Sequence, residues 1–426
     1  MGARSNATGG SLAVTVATEV WRVQAWARRS DLENTSVAVA AGRISTMPAN
    51  DQFSTPAIGY GLNAAWQGRE GDWSWELGGD VRAAEGRVNE RFRYQSGAFT
   101  RLRQAGGRTL VGGFYGEAAQ VSEDRTFIFG ARLDGWRSYA GLRRERDALT
   151  GTATLDTTIE DASGVTPTAR AGMRQRLHGE TWWRAAAYAG FRPPTLNELH
   201  RPFRVGNDVT EANAVLKPET LYGVEAGLTG EGALQWSLAV FYNQVRDPVT
   251  NVTVGVGPGS FPVAGFIPAG GVLRQRRNAG EIKAYGLEGD VAVQLSSSWT
   301  VRAAASWTHA RIDGANAAAQ LTGKRPAQAP AWAVTTGAVW RPIERLSVDI
   351  DLRYEGMRYE DDLNLRRLKA GAGLDARAGW RLSPATEVYV AADNLLNHGL
   401  AVGQTADGVA SYAAPRTVFV GFALRR

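Results

Sequence analysis

The residues best placed to do chemistry in this sequence are arginines and aromatic residues concentrated between positions 84 and 107. A second group of the same kind follows near position 204. Guanidinium groups form charge-assisted, often paired hydrogen bonds with anions, and rings add flat contact area. The pattern therefore predicts binding of an anionic, partly aromatic small molecule. The candidate ligand-binding residues are Arg87, Arg91, Arg93, Tyr94, Arg101, Arg103 and Arg204.

No pattern in the sequence indicates catalysis. Neither a zinc-binding helix signature nor a phosphate-binding glycine loop occurs. The absence of cysteine excludes disulfides and thiolate chemistry. Four histidines lie in or beside turns and loops without a common spacing, and we predict that they are surface residues: His178, His200, His309 and His398. The chain is therefore predicted to be no enzyme and to need no cofactor or metal.

The charge balance is basic but does not indicate a nucleic-acid partner. The net charge is +6, from 44 arginines, 4 lysines and 42 acidic residues. These arginines are scattered along the chain instead of forming one basic stripe, which argues against nucleic-acid binding. No run of eighteen apolar residues occurs, so no transmembrane helix is predicted. The first ten residues contain no apolar segment typical of a secretory signal peptide.

Alternation of apolar and polar residues recurs along the chain and predicts β-strands. Residues 346–355 show it most clearly, with Val348 and Ile350 on one face and Asp349 and Asp351 on the other. Charges on one face of strand after strand cannot line a dry core. Strands of about ten residues match a tilted membrane crossing, whereas soluble propellers and sandwiches use strands of about five or six. The pattern predicts an all-β chain that forms a transmembrane antiparallel β-barrel.

We predict seventeen strands, joined alternately by short turns and long connections. The strands are residues 11–17, 20–29, 57–67, 73–83, 108–119, 126–137, 165–177, 181–192, 220–229, 234–246, 282–294, 299–309, 331–341, 345–356, 368–381, 387–394 and 416–426. The long connections are residues 30–56, 84–107, 138–164, 193–219, 247–281, 310–330, 357–367 and 395–415. This alternation is typical of outer-membrane barrels, which have tight periplasmic turns and long external loops.

Tryptophans lie mostly at one end of the predicted strands. Ten of the fourteen are within four residues of a short turn: Trp21, Trp66, Trp73, Trp75, Trp182, Trp183, Trp236, Trp299, Trp340 and Trp380. An indole at a membrane interface keeps its ring among acyl chains and its N–H among head groups. These tryptophans are predicted to form a girdle at the periplasmic interface.

The most specific motif is a polar stretch between two predicted strands, residues 191–219. Two blocks bound it in a fixed order, the first being Phe191, Arg192, Pro193, Pro194, Asn197, Glu198 and Leu199, and the second being Lys217, Pro218 and Glu219. Proline has no backbone donor, so the double proline ends the first strand. These blocks resemble the signature loop of TonB-dependent outer-membrane receptors.

Later motifs extend this resemblance towards the end of the chain. Asn278, followed by Gly286 and Glu288, resembles a late-barrel motif of the family. Asp393, Asn394 and Leu395 resemble the end of its penultimate strand. The resemblance covers residues 1–426 and implies a barrel of the TonB-dependent receptor type.

What the resemblance implies about function is active uptake of a scarce nutrient chelate, such as a ferric siderophore, across the outer membrane. The implied partners are outer-membrane lipid, the small ligand, the barrel-assembly machinery, and the TonB complex through a plug domain. Receptors of this kind have about twenty-two strands. Seventeen strands without a plug or signal peptide therefore predict a fragment that does not transport alone.

Two other functions fit parts of the pattern. A passive, porin-like diffusion channel would use the same strands but does not explain the motifs at residues 191–219 and 278–288. A soluble all-β enzyme would need a catalytic constellation, which the sequence lacks. Solubility only in detergent would separate the membrane proteins from the enzyme.

Overall fold

A computed structural model describes residues 2–424 of the chain. Its strands are β1 (Arg4–Ala17), β2 (Trp21–Val39), β3 (Thr46–Ser54), β4 (Ala57–Glu70), β5 (Trp73–Gln95), β6 (Ala98–Val121), β7 (Arg125–Asp147), β8 (Ala153–Ile159), β9 (Ala162–His178), β10 (Thr181–Arg192), β11 (Phe203–Val205), β12 (Asp208–Glu211), β13 (Glu219–Glu231), β14 (Leu234–Arg246), β15 (Val249–Val256), β16 (Gly259–Phe261), β17 (Gly265–Ile267), β18 (Val272–Asn278), β19 (Glu281–Gln294), β20 (Trp299–Asp313), β21 (Trp332–Ile343), β22 (Leu346–Glu355), β23 (Arg358–Tyr359), β24 (Arg367–Leu368), β25 (Gly371–Ser383), β26 (Thr386–Asp393), β27 (Ala401–Gln404), β28 (Ala410–Tyr412) and β29 (Thr417–Leu424). The helices are α1 (Leu196–His200) and two 3-10 turns, Ala41–Arg43 and Ala319–Leu321. No helix in this part of the chain is long and apolar enough to cross a membrane.

One antiparallel sheet of 19 strands contains every strand of nine or more residues. Without β3 and β8, which lie in predicted connections, it holds seventeen strands, one for each predicted strand. Each long strand pairs with the next one along the chain, as in the ladders β13 to β14 and β21 to β22. Within the described residues, β1 pairs with β2 and β29 with β26, and no ladder joins β1 to β29. The predicted fold class is confirmed.

Three predicted loops are wrong because the sheet continues through them. The segment 84–107 is a hairpin in which β5 and β6 stay paired as far as Gln95 and Ala98. Its turn is tight, with positive φ at Ser96 (48°) and Gly97 (86°). The segments 30–56 and 138–164 likewise hold paired strand, including β3 and β8. In these segments charged residues occur on both faces of each strand. The strands were not predicted because the prediction relied on one apolar face.

The two faces of the sheet differ in chemistry as the alternation predicts. Asp80, Arg132 and Asp134 form salt bridges of 2.5–2.6 Å on the inner face of β5 and β7. On β22, Asp351 pairs with Arg302 at 2.5 Å on that same face, while Leu352 points to the other face and is 38% exposed. Exposed leucine, valine and aromatic side chains cover the outer face because lipid is their solvent.

Most of the tryptophan girdle is present on the outer face. The exposed members are Trp21, Trp66, Trp73, Trp299, Trp340 and Trp380. Trp299 stacks on Trp340 with ring centroids 5.7 Å apart. Trp182 does not belong to the girdle, since its buried ring lies below Arg174 and Arg176 at 4.0 and 4.6 Å. A guanidinium on the face of an indole is a stable arrangement of its own.

Small apolar clusters hold the loop structures together at the end of the sheet opposite the short turns. The first cluster joins the connections after β14 and β20 and comprises Val252, Ala279, Ile312, Ala318 and Leu321. A second cluster, Val209, Ile267 and Leu273, packs β12 against the segment around β17 and β18. These clusters position the motif loop over the sheet.

Candidate functional site

The polar stretch after β10 is organised by charged side chains at both of its ends. Thr195 caps α1 by accepting a hydrogen bond from the Glu198 amide, and the Glu198 carboxylate accepts one from the Thr195 amide at 2.7 Å. Arg192 binds Glu198 at 2.9 Å and Glu219 at 2.6 Å. Burial alone would raise the pKa of Glu198, but hydrogen bonds from Arg192 and Thr195 outweigh it and lower the pKa. The arginine therefore joins the start and the end of the loop.

Asn278 fastens this loop to the next one. Its side-chain oxygen accepts from the Lys217 amide at 2.9 Å, and its Nδ2 donates to the carbonyls of Lys217 (3.0 Å) and Asp247 (2.7 Å). Glu219 accepts from the Val249 amide at 2.5 Å. The residues between Lys217 and Glu219 are thus bound from two directions.

The remaining motif residues support the backbone. Leu199 is buried below α1. The Asn197 carbonyl accepts hydrogen bonds from the Arg201 amide and from the Arg276 side chain. A Cβ at Gly286 would lie 2.1 Å from the Trp307 carbonyl, so only glycine fits there. Asn394 has positive φ (49°) and donates to the carbonyls of His398 and Ala414 at 3.0 and 3.1 Å.

Phe191, Arg192, Pro193 and Pro194 form the end of β10 and the turn before α1, and Pro218 follows Lys217 where β13 begins. Glu288 is exposed on the inner face of β19, while Asp393 and Leu395 flank Asn394 at the end of β26. The structure thus places the two signature blocks together and leaves the last motif in a separate turn.

A buried ionic network lies where the extended hairpin meets this loop. Glu90 is 0% exposed and binds Arg103 at 2.7 Å, Asn50 at 2.8 Å and Arg201 at 3.3 Å. Arg103 also binds Glu145 at 2.8 Å. Burial would raise the pKa of Glu90, but the two guanidinium groups lower it below its usual range. Arg103 is therefore committed to two carboxylates.

Three other predicted ligand residues lie on the hairpin and differ in their environment. Arg91 binds Asp51 at 2.7 Å and covers the Phe53 ring at 4.7 Å. Arg101 forms a salt bridge with Asp147. Arg87 is exposed on the outer face of β5 and has no ion-pair partner in residues 2–424.

Arg93 and Arg204 face a common cavity of about 370 Å³ between the hairpin and the motif loop. We call it the cationic pocket, and its other defining side chains are Tyr94, Phe203 and Phe266. Neither arginine has an ion-pair partner within the described residues. Burial lowers the pKa of Arg204, and the charges of Arg93 and Arg103 lower it further. Two uncompensated guanidiniums among rings form a site for an anion.

Comparison with known proteins identifies the family. Residues 4–395 match the family described as TonB dependent receptor-like, beta-barrel. The chain belongs to the TonB-dependent receptor family. Membership of this family confirms the predicted location in the outer membrane. The members of this family are transporters, so the prediction that the chain is not an enzyme is also confirmed.

Similar proteins include an iron-regulated outer membrane protein and solved structures of uptake receptors and transporters. The iron-regulated outer membrane virulence protein of Vibrio cholerae is 26% identical over 259 residues, covering 60% of this chain and 35% of that protein. The ferric yersiniabactin uptake receptor of Yersinia pestis has a TM-score of 0.74 at 14% identity, covering 99% of this chain and 61% of the other. A copper transporter has a TM-score of 0.72 at 15% identity, covering 99% and 66%. The chain spans about a third of the length of the curated relatives that it matches.

His200 corrects one prediction made for this TonB-dependent receptor. It is 2% exposed, not a surface residue, and neither ring nitrogen has a hydrogen-bond partner. Burial lowers its pKa to about 4, so the ring is neutral at pH 7. The imidazole packs where Gly107 and Gly141 leave room in the wall.

No group of three potential metal-binding side chains occurs in the part of the chain that the structure describes. The lining of the cationic pocket combines guanidinium groups and aromatic rings with one carboxylate, Glu211, which pairs with Arg143. It can bind an anionic molecule through hydrogen bonds and stacking.

Proposed function

We propose that this chain forms the barrel of a receptor that actively takes up an anionic, partly aromatic chelate, a ferric siderophore or a compound of similar chemistry. The observation that carries the proposal is the cationic pocket, in which Arg93 and Arg204 have no acidic partner. The named relatives support it, because one is iron-regulated and another takes up a ferric siderophore.

The pocket distinguishes two roles among the predicted ligand residues. Arg93, Tyr94 and Arg204 contact the ligand, since their polar groups are uncommitted or face the cavity. Arg91, Arg101 and Arg103 hold the walls through Asp51, Asp147 and Glu90. Arg87 lies on the outer face and takes no part in capture.

Transport requires partners beyond the barrel. We propose that the TonB complex drives uptake through a plug domain, that the barrel-assembly machinery inserts the chain, and that lipid surrounds it. The motif loop, bound by Arg192 and Asn278, keeps the cationic pocket in place above the sheet.

Equilibrium binding tests the proposal. The protein in detergent is titrated with the ferric complex of 2,3-dihydroxybenzoate and with ferric citrate, and tryptophan fluorescence reports binding. A charge-assisted hydrogen bond contributes about 1.5–3 kcal/mol, so the variant R93M/R204M should bind on the order of 10²-fold more weakly.

R87M/R108M is the matched control, because it also removes two arginines from the same hairpin and neither of them lines the pocket. Its affinity should stay within about twofold. Equal affinity of R93M/R204M and the unaltered protein for both chelates would contradict the proposal.

A further inference from the structure

A large apolar cavity lies on the outer face of the sheet, where the family places lipid. It is a groove of about 1000 Å³ that crosses seven strands from β5 to β14. Small residues form its floor: Gly116, Ala118, Ala131, Ala169, Ala171, Ala187 and Ala189. Larger side chains form its two ends, with Trp75, Leu77 and Phe129 at one and Tyr222, Val224 and Tyr242 at the other.

The pairing register shows that these residues share one face. Phe129 lies opposite Ala171, Ala171 opposite Ala187, and Ala187 opposite Val224. The polar neighbours along the same strands point to the inner face, as the Glu117–Arg170 salt bridge shows. The groove is therefore separate from the cationic pocket and from the interior of the barrel.

The groove runs obliquely through the membrane. Trp75 lies near the short turn that precedes β5, whereas Tyr242 lies eight residues beyond the start of β14. The six spacings of about 4.8 Å between these seven strands give a length of roughly 29 Å along the sheet. An extended hydrocarbon chain fits a groove of this shape better than a helix, which needs a diameter of about 10–12 Å.

Positive charge gathers at the loop end of the groove. Arg246 stacks over the Tyr222 ring at 5.0 Å and forms no salt bridge within the described residues. Lys283 and Arg311 follow on the next two strands, on the same face as Gln244, which lines the groove. Glu281 forms a salt bridge with Lys283 and lies opposite Arg246, and Asp313 lies opposite Glu281, so the three cations exceed the acidic residues on this face by one. Cations at a membrane interface attract anionic head groups.

We propose that this groove is a binding site for a membrane lipid with a phosphate head group, whose acyl chain lies on the alanine floor and whose phosphate binds Arg246. Apolar contact along the floor supplies affinity, and Arg246 with its cationic neighbours selects the anionic head group. The site is independent of ligand uptake through the barrel.

Photolabelling tests the proposal. The protein is reconstituted in phosphatidylcholine vesicles that contain a trace of phosphatidylglycerol carrying a diazirine in one acyl chain, and labelled peptides are mapped by mass spectrometry. We expect peptides from β9 and β10 to be labelled at least fivefold above peptides from β20 to β22. Unlabelled phosphatidylglycerol should compete at least fivefold better than phosphatidylcholine.

Two kinds of variant separate the floor from the head-group end. A169L/A187L fills the floor and should reduce labelling of β9 and β10 to the level of other strands, whereas A25L/A305L, with two outer-face alanines outside the groove, should leave it unchanged. R246A should remove the preference for phosphatidylglycerol in competition. Heat-modifiability on gels shows whether each variant is folded.

Uniform labelling of all membrane strands would overturn the proposal, as would competition without preference for the anionic lipid. Crosslinks to a second copy of the chain in place of lipid would also overturn it. Labelling and competition on the unaltered protein decide the question even where the floor variant does not fold.

Discussion

Replacing Arg103 by methionine probes the buried network that holds the extended hairpin in place. The change keeps an unbranched side chain of similar length but removes the cation that binds Glu90 at 2.7 Å and Glu145 at 2.8 Å. Glu90 is 0% exposed, so its carboxylate would keep only Arg201, at 3.3 Å, and Asn50. Glu145 would keep Arg143, at 2.7 Å.

The expected loss of stability depends on how far each ion pair is exposed to solvent. Removing one partner of a buried ion pair costs about 3–5 kcal/mol, because the other charge stays buried without compensation. Because Arg201 and Arg143 still bind the two carboxylates, we expect R103M to lose about 3 kcal/mol of local stability, at the lower end of this range. The control R108M breaks the Arg108–Glu85 pair, whose side chains are 49% and 45% exposed, and exposed pairs contribute about 0–1 kcal/mol.

Hydrogen exchange measures this local stability without unfolding the barrel. Amides of residues 87–105 should exchange on the order of 10²-fold faster in R103M, since each 1.4 kcal/mol corresponds to about tenfold. In R103M/E90Q, the second change removes the charge of Glu90, and this should restore at least half of the lost protection from hydrogen exchange. A change of less than about fivefold in R103M, or the same change in R108M, would refute the role assigned to the network.

Two further predictions concern the membrane face and acid. Leu352→Arg places a charge at mid-bilayer and should cost about 2–4 kcal/mol and impair assembly, whereas Asp351→Ala, on the inner face, should be much milder; equal loss of heat-modifiability would show that the register of β22 is wrong. The pKa of Glu90 and of Glu145 lies below the usual 4.5, so their stabilisation is complete above that pH and is lost as pH falls through the lowered values. The Tm should therefore be similar at pH 7 and 5 and fall at pH 3, less so in E90Q; an equal fall in both proteins would exclude Glu90 as the cause.

Strand positions were predictable from the sequence because one face must meet lipid. Alternation identifies Leu352 and its neighbours on β22 without knowledge of any partner strand. Where strands leave the membrane this constraint ends, and both faces become polar, as on the hairpin that contains Arg91 and Arg101. The sequence therefore predicted loops there, although backbone pairing continues to Gln95.

The pairing of arginines was not predictable from the sequence. Arg93 and Arg103 look alike in a basic, aromatic segment, but only Arg103 has two carboxylates beside it, at Glu90 and Glu145. Glu145 comes from another hairpin, so its position depends on the register between β6 and β7. Burial of His200 depends in the same way on two glycines of distant strands.

Compensated and uncompensated cations lie side by side at the opening of the barrel, and this arrangement has a physical cost. Arg103 supports the wall, but its charge also opposes the protonated form of Arg204. Stability alone would favour an acidic residue near Arg93 and Arg204, and the described part of the chain supplies none as an ion-pair partner. Departures of this kind from local stability are expected at functional sites. An anion in the cationic pocket would remove the repulsion, so binding and local stability are coupled in the proposed site.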